Sequence, residues 1–376
     1  MARRILLLGA GKVGRMIATF LAGCSEYRLR VADRDPTALA RLSERTAVEE
    51  TVVVDVNHGG QLRAAMEGCD AVVSALSFNV TPLAAQAAWE LGASYFDLTE
   101  DRQTTELVRK IAQQARPGQV FMPQCGLAPG FISILASELT KWFDCLDTVR
   151  MRVGALPQFP TNALTYNLTW STDGLINEYC NPCEVIHEGR LMDVLPLEGL
   201  EHFSLDGVRY EAFNTSGGLG TLCNSLQSSA REVNYKTIRY PGHQALMVFL
   251  LRDLRLEARR ELLKDVLETA IPLTFQDVVI TFCTVTGWRN GQFVQKSDAR
   301  KIYAHTIDGE SWSAIQITTA ASICAVLDLF LQGKLPQQGF LCQEQVVLED
   351  FLKNRFGQWY ASTTPSTMFT RAEEPA

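Results

Sequence analysis

The protein lacks a basic excess. Its 376 residues carry 35 lysines and arginines against 42 aspartates and glutamates, a formal charge of −7 at pH 7, so no positive field exists to draw in a nucleic acid or an anionic membrane surface. It also lacks a cysteine framework. Its ten cysteines are scattered from Cys24 to Cys342 without a dense pattern, which leads us to expect free thiols in a reducing cytoplasm. A signal-like start is missing as well, because the apolar run Ile5 to Leu8 is short and leads into glycines rather than a small-residue cleavage site. The one stretch long enough to span a bilayer, Trp312 to Leu331, contains Gln316, Thr318, Thr319, Ser322 and Asp328, and reads as a buried or amphipathic helix instead. With 20% charged and 47% hydrophobic residues the composition is that of a globular protein. At roughly 150 residues per domain, two domains are expected and three at most.

What is present begins at once. Ile5 to Leu8 has the length of a buried strand and is followed by Gly9-Ala10-Gly11-Lys12-Val13-Gly14 and then the helical pattern Met16, Ile17, Phe20, Leu21. This is G-x-G-x-x-G in the context that gives it meaning: Gly9 for the tight turn, Gly11 for close approach of a pyrophosphate, Gly14 for helix packing, with Lys12 and Val13 in the first helical turn. A second strand, Tyr27 to Ala32, ends in Asp33, where an acidic residue binds the ribose 2′-hydroxyl of NAD. Arg34 follows and is able to meet the 2′-phosphate of NADP, so NAD is favoured and NADP stays open. Strand and helix patterns then alternate up to Val120–Met122, which predicts a doubly wound parallel sheet of the Rossmann type over residues 1–125. Ligands in such sheets bind at the carboxyl ends of the strands. Those ends carry Ala75 and Leu76, expected against the cofactor, then Asp97-Leu98-Thr99-Glu100-Asp101 and Gln124-Cys125-Gly126.

From Gly126 the texture changes. Segments such as Val149 to Val153, Val278 to Val285 and Lys301 to Ile307 alternate as antiparallel strands with one wet face, giving an α+β domain over 126–312. The apolar helices of 313–376 are expected to return to the first domain. Polar residues gather at Tyr166 to Ser171, Asn177-Glu178-Tyr179, Asn214-Thr215-Ser216-Gly217-Gly218 and Lys236 to His243. In the last of these Arg239 is the candidate partner for a substrate carboxylate. His243 is a candidate acid or base, with a salt bridge and a packing role as the respective alternatives. Cys180-Asn181-Pro182-Cys183, near Glu184 and His187, has a metal or redox spacing but no second pair, so no metal is expected. Cys125 reads as a small core residue.

Gly9 to Gly14, Gly126-Leu127-Ala128-Pro129-Gly130, Thr215 to Gly218 and Lys236-Thr237-Ile238-Arg239-Tyr240-Pro241-Gly242-His243 together resemble the saccharopine dehydrogenase-like oxidoreductases, among them bacterial lysine 6-dehydrogenases and glutamate-forming saccharopine dehydrogenases. The resemblance runs over nearly the whole sequence. It implies a Rossmann domain plus an α+β domain that closes over an amino-acid substrate and carries a homodimer contact. It further implies NAD(P)-dependent oxidation of the terminal carbon–nitrogen bond of saccharopine or lysine to 2-aminoadipate 6-semialdehyde, with glutamate or ammonia as the second product. Under this reading His243, Asp97 and Asp101 are the candidate bases. Arg239, Thr215, Ser216 and Asn214 hold the α-carboxylate, Tyr166 and Trp170 wall the aliphatic stem, and Lys236, Arg231 and Arg152 are available for further carboxylates. The competing readings are a carboxynorspermidine- or opine-type reductase and a catalytically silent nucleotide sensor. Asp33→Ala should weaken NAD about tenfold or more, through loss of a charge-assisted bond, and NADP much less; equal loss in a fluorescence titration would mean that Asp33 does not meet the ribose.

Overall fold

In the computed structural model, which describes residues 2–361, residues 2–122 form β1 (Arg3–Leu8), α1 (Lys12–Ala22), β2 (Tyr27–Asp33), α2 (Pro36–Ser43), β3 (Glu50–Val53), α3 (Gly59–Met66), β4 (Ala71–Ser74), α4 (Thr81–Leu91), β5 (Ser94–Asp97), α5 (Arg102–Ala112) and β6 (Val120–Met122). The strands are short and apolar because helices cover both faces of the sheet, so no position needs to face water. Ile5, Leu6, Leu7 and Leu8 are all buried. All pairings in this sheet are parallel, in the order β6-β5-β4-β1-β2-β3, and Gly339–Phe340 adds a seventh strand beside β6. The order reverses between β1 and β4. That is the switch point where a doubly wound sheet opens a crevice at its carboxyl end.

Helix α6 (Phe131–Thr140) leads into the second sheet, built from β7 (Cys145–Pro157), α7 (Thr172–Cys180), β8 (Cys183–His187), β9 (Arg190–Val194), β10 (Glu201–Leu205), β11 (Val208–Asn214), β12 (Glu232–Arg239), β13 (Asp277–Arg289) and β14 (Gln292–Tyr303). Its order is β10-β11-β12-β7-β13-β14, with β8 and β9 at the side. It is mixed and not purely antiparallel, because β12 runs parallel to β7. The polar residues of Lys236 to Arg239 hid this strand from a period-two reading, for they are divided between the wet and the buried faces of its last residues. The expected strand over Lys301 to Ile307 is divided. Residues to Tyr303 belong to β14, and His305–Ile307 pairs with Glu310–Trp312 across a turn in which Asp308 and Gly309 take positive φ.

The helix Ala314–Leu331 is the one helix among the described residues long and apolar enough to cross a membrane, and most of it is buried inside the protein. It packs against α1 and β13. Its amino end is fixed twice over: Ser313 and Gln316 form a capping box, and the buried Asp277 carboxylate accepts from the N–H groups of Ala314 (2.5 Å) and Ile315 (3.0 Å). Near its carboxyl end the buried Asp328 carboxylate accepts from the Tyr27 hydroxyl, from Asn354 Nδ2 (2.6 Å) and from Arg355 Nη2 (2.9 Å), tying the segment around Arg355 to β2. Asp328→Ala strands four donors at this joint, since Gln332 Nε2 (2.9 Å) also bonds the carboxylate, and should cost about 2–4 kcal/mol; an unchanged urea midpoint would remove Asp328 from that role.

Candidate active site

The nucleotide end of the site is set by three glycines. Gly9 takes φ +101, and a Cβ there would lie 3.0 Å from the Ala75 carbonyl oxygen on the neighbouring strand end. A Cβ on Gly14 would lie 2.0 Å from the Gly9 carbonyl oxygen, so helix and turn touch here only because Gly14 lacks a side chain. At Gly11, by contrast, a Cβ would meet nothing within 4 Å. The turn is open on that side, and Gly11 caps α1 without any side chain bonding its free N–H groups, which is the geometry that receives a pyrophosphate. Asp33 braces the turn, one oxygen accepting from Ala10 N (2.6 Å) and the other from Asp35 N (2.8 Å). Lys12 and Arg34 are exposed beside it. These residues fit a dinucleotide.

Beyond the turn a cavity of about 320 Å³ opens between the two sheets, with Val13, Ala75 and Leu76 on the first-domain side and Trp170, Glu178 and Arg239 on the other. Arg239 is the last residue of β12 and is 2% exposed. Its Nε donates to the Tyr179 hydroxyl oxygen (2.9 Å), and its Nη1 donates to Thr237 Oγ1 and the Ile238 carbonyl (both 2.8 Å). The Tyr166 ring lies under it, 5.0 Å from the guanidinium carbon. Nη2 makes none of these bonds and is left for a ligand. Tyr179 in turn meets His243 Nε2 at 3.0 Å, and His243 Nδ1 meets the Leu164 carbonyl at 2.9 Å. A carbonyl only accepts, so Nδ1 carries the proton, Nε2 accepts from the Tyr179 hydroxyl, and the phenol oxygen is free to accept from Arg239.

That geometry corrects the expectation for His243. It is buried behind Tyr179, does not line the cavity, and burial together with the Arg239 charge pushes its pKa down to about 3. It is a neutral positioning group. Asp97 is corrected likewise. It is buried under the strand ends, accepting from Thr99 N (2.9 Å) and Gln124 N (3.1 Å), and holds two loops together outside the cavity, with burial raising its pKa to about 6. Asp101 caps α5 by accepting from Thr104 N (2.7 Å) and faces a separate groove.

Of the residues expected to hold substrate carboxylates, Arg239 alone lines the cavity. Lys236 and Arg152 point to the far side of the sheet, where both pair with Glu201. Arg231 pairs with Asp147, Glu188 and Glu232 at the surface. Asn214 bonds the Leu195 carbonyl, Ser216 the Asn177 carbonyl (3.2 Å), and Thr215 is buried; none of the three lines the cavity. Tyr166 takes a bond from Trp170 Nε1 (3.1 Å), so it supports the wall from behind while Trp170 forms it. Cys125, Cys180 and Cys183 are buried free thiols.

Sequence reasoning missed two acids that do line the cavity, Glu178 and Glu100. Among the described residues neither carboxyl has an ion-pair partner, and the hydrogen bond of Glu100 is to its own backbone N–H. Burial raises the pKa of Glu178 to about 8, with the Arg239 charge opposing the rise and Glu100 adding to it. Burial raises that of Glu100 to about 7, and the neighbouring Asp101 and Asp97 charges push in the same direction. The signal for Glu178 lies in the packing of its helix. Every residue of α7 from Gly174 to Cys180 is buried, and a charged residue on a helix without a wet face demands an explanation.

A Rossmann domain closed over by a mixed-sheet domain, with a polar cavity on the seam, defines a class of two-domain protein. Residues 5–122 match the family model described as saccharopine dehydrogenase NADP binding domain, and residues 126–358 that described as saccharopine dehydrogenase C-terminal domain. The protein belongs to the saccharopine dehydrogenase family. It is 22% identical over 302 residues to the mitochondrial alpha-aminoadipic semialdehyde synthase of Rattus norvegicus, covering 76% of this sequence and 31% of that protein. To the saccharopine dehydrogenase (NADP(+), L-glutamate-forming) of Schizosaccharomyces pombe it is 22% identical over 196 residues, 50% of this sequence and 43% of that protein. The matched region thus spans less than half the length of either relative. Apo saccharopine dehydrogenase (L-Glu forming) from Saccharomyces cerevisiae superposes with a TM-score of 0.78 at 16% identity, covering 93% of this protein and 97% of that one. The homospermidine synthase of Legionella pneumophila, in complex with NAD, superposes at 0.66 and 13%, covering 96% and 90%. At these identities the likeness is one of fold.

His243 makes a pH prediction. Its folded pKa lies below the unfolded value of about 6.5, so the neutral ring contributes fully above that pH and its contribution is lost as the pH falls toward 3. His243→Gln should be less stable at pH 7 and should lose less further stability on acidification to pH 5; parallel urea curves for the two proteins at both pH values would refute the buried neutral ring.

Proposed function

We propose that the protein is a nicotinamide-nucleotide-dependent oxidoreductase of lysine degradation that breaks the terminal carbon–nitrogen bond of saccharopine or lysine, giving 2-aminoadipate 6-semialdehyde with glutamate or ammonia. The observation that carries this reading is the buried Arg239 fork facing the glycine turn across a cavity that also holds two unpaired carboxyl groups. A nicotinamide nucleotide bound at the turn supplies the two-electron acceptor. Arg239 takes the substrate α-carboxylate on Nη2, and Trp170 flanks the aliphatic stem. An amine carbon gives up electrons only when its nitrogen lone pair is free, so a base has to remove the ammonium proton first. Glu178 and Glu100, with pKa values near neutrality, are better matched to that proton than His243, Asp97 or Asp101. The same carboxylates are able to deprotonate the water that adds to the resulting C=N bond. Asp33 favours NAD, with NADP admitted by Arg34. A homodimer in the cytoplasm completes the proposal and rests on the family resemblance and the free thiols.

The test is absorbance of reduced nicotinamide with each amino acid and each nucleotide, followed by assay for glutamate or ammonia. Arg239→Lys keeps the charge but loses the planar fork and its bond to Tyr179, and should lower kcat/KM about a hundredfold. Undiminished turnover in that variant would refute the carboxylate assignment, and a nucleotide-bound protein that oxidises neither amino acid would refute the function.

A further inference from the structure

The charge inventory of the cavity narrows the substrate. Among the described residues that line it, Arg239 is the one cation, against Glu100, Asp173 and Glu178. Asp173 stands at the rim and is already matched by Lys264 at 2.6 Å. Glu178 is 8% exposed and its carboxyl has no partner, so it is a buried polar group turned into an otherwise built site. Only one guanidinium nitrogen remains uncommitted, because Nε and Nη1 of Arg239 are held by Tyr179, Thr237 and Ile238. The residues that would have to serve additional carboxylates are engaged elsewhere: Lys236 and Arg152 by Glu201, Arg231 by Asp147, Glu188 and Glu232, and Arg102 by Glu184 and Asp193.

We propose that this cavity selects a cationic amine substrate, carrying two amino groups and no more than one carboxylate, and that Glu178, with Glu100 behind it, is the ammonium-binding group that excludes the tricarboxylate saccharopine. The inference rests on the amine-oxidising reading above and sharpens it. At neutral pH free lysine bears one positive charge and a linear diamine two, whereas saccharopine is a net anion. An ammonium seated beside Glu178 and Glu100 favours their ionised forms and is held by them, whereas a second or third carboxylate would meet carboxyl groups and find no cation besides Arg239. Its volume points the same way, since about 320 Å³ is at the small end for ligand pockets, which favours the smaller of the two amino acids.

The test is calorimetric titration of the nucleotide-saturated protein with lysine, 1,5-diaminopentane and saccharopine, alongside initial rates with each. Lysine, the diamine or both should bind at least a hundredfold tighter than saccharopine. Glu178→Gln, and Glu100→Gln as a second variant, should raise the Kd and KM for the cationic ligand tenfold or more while the nucleotide Kd and the melting temperature stay put. Saccharopine binding as tightly as lysine, with turnover, overturns charge selection and leaves the oxidoreductase reading standing. Cationic ligands that bind both variants as well as the parent protein overturn the role of Glu178 and Glu100. Failure of all three ligands to bind or react overturns the selection and the amine-oxidising reading together.

Discussion

A guanidinium out of contact with bulk water has to have its donors met, and at Arg239 that requirement organises the second domain. Its Nε needs an acceptor, which makes the Tyr179 oxygen turn its own proton toward His243; His243 accepts only if its other nitrogen is protonated, and the Leu164 carbonyl fixes that. Three separate stretches, α7, β12 with the helix that follows it, and the loop at Leu164, are thereby locked around one charge. Breaking any bond in this relay leaves a buried group unsatisfied, so Tyr179, His243 and Leu164, which do not line the cavity, help to set the orientation of Arg239 together with Thr237, which does.

The first domain contributes a constraint of a different kind, one of absence. Gly9 and Gly14 are in contact through backbone atoms alone, and Gly11 leaves open ground beside the free N–H groups of α1. Because the order of strands reverses between β1 and β4, that turn lies at the mouth of the crevice. The second domain then closes the crevice with Trp170, Glu178 and Arg239. The helix Ala314–Leu331, clamped at Asp277 and Asp328, packs against both α1 and β13 and so holds the two walls in register.

The nucleotide fold was legible because its signals are local: a strand, a turn that only glycine permits, and a helix, followed by an acid at a fixed offset. Arg239 was legible from residue type, since a fork beside a tyrosine and a histidine is unusual chemistry. The division of labour among those neighbours was not. His243 looks like a base from its residue type, and only its depth and its two hydrogen bonds make it a positioning group. Asp97 and Asp101 stood at a strand end where chemistry is expected, yet the backbone N–H groups of the adjoining loops claimed them. Lys236 and Arg152 failed for a period-two reason: on β12 and β7 they fall on the face away from the cavity, beside Glu201. Glu178 went unassigned because its meaning depends on a helix that is buried on every side, a tertiary fact.

The proposed chemistry depends on Arg239 and Glu178 receiving opposite ends of one small amine substrate. A crystal structure of the protein with nucleotide and lysine tests this most directly. It should show the lysine carboxylate on Arg239 Nη2 and an ammonium nitrogen on the Glu178 carboxylate, with His243 still bonded to Tyr179. A ligand whose carboxylate avoids Arg239, or a His243 swung into the cavity to meet the substrate nitrogen, would contradict it.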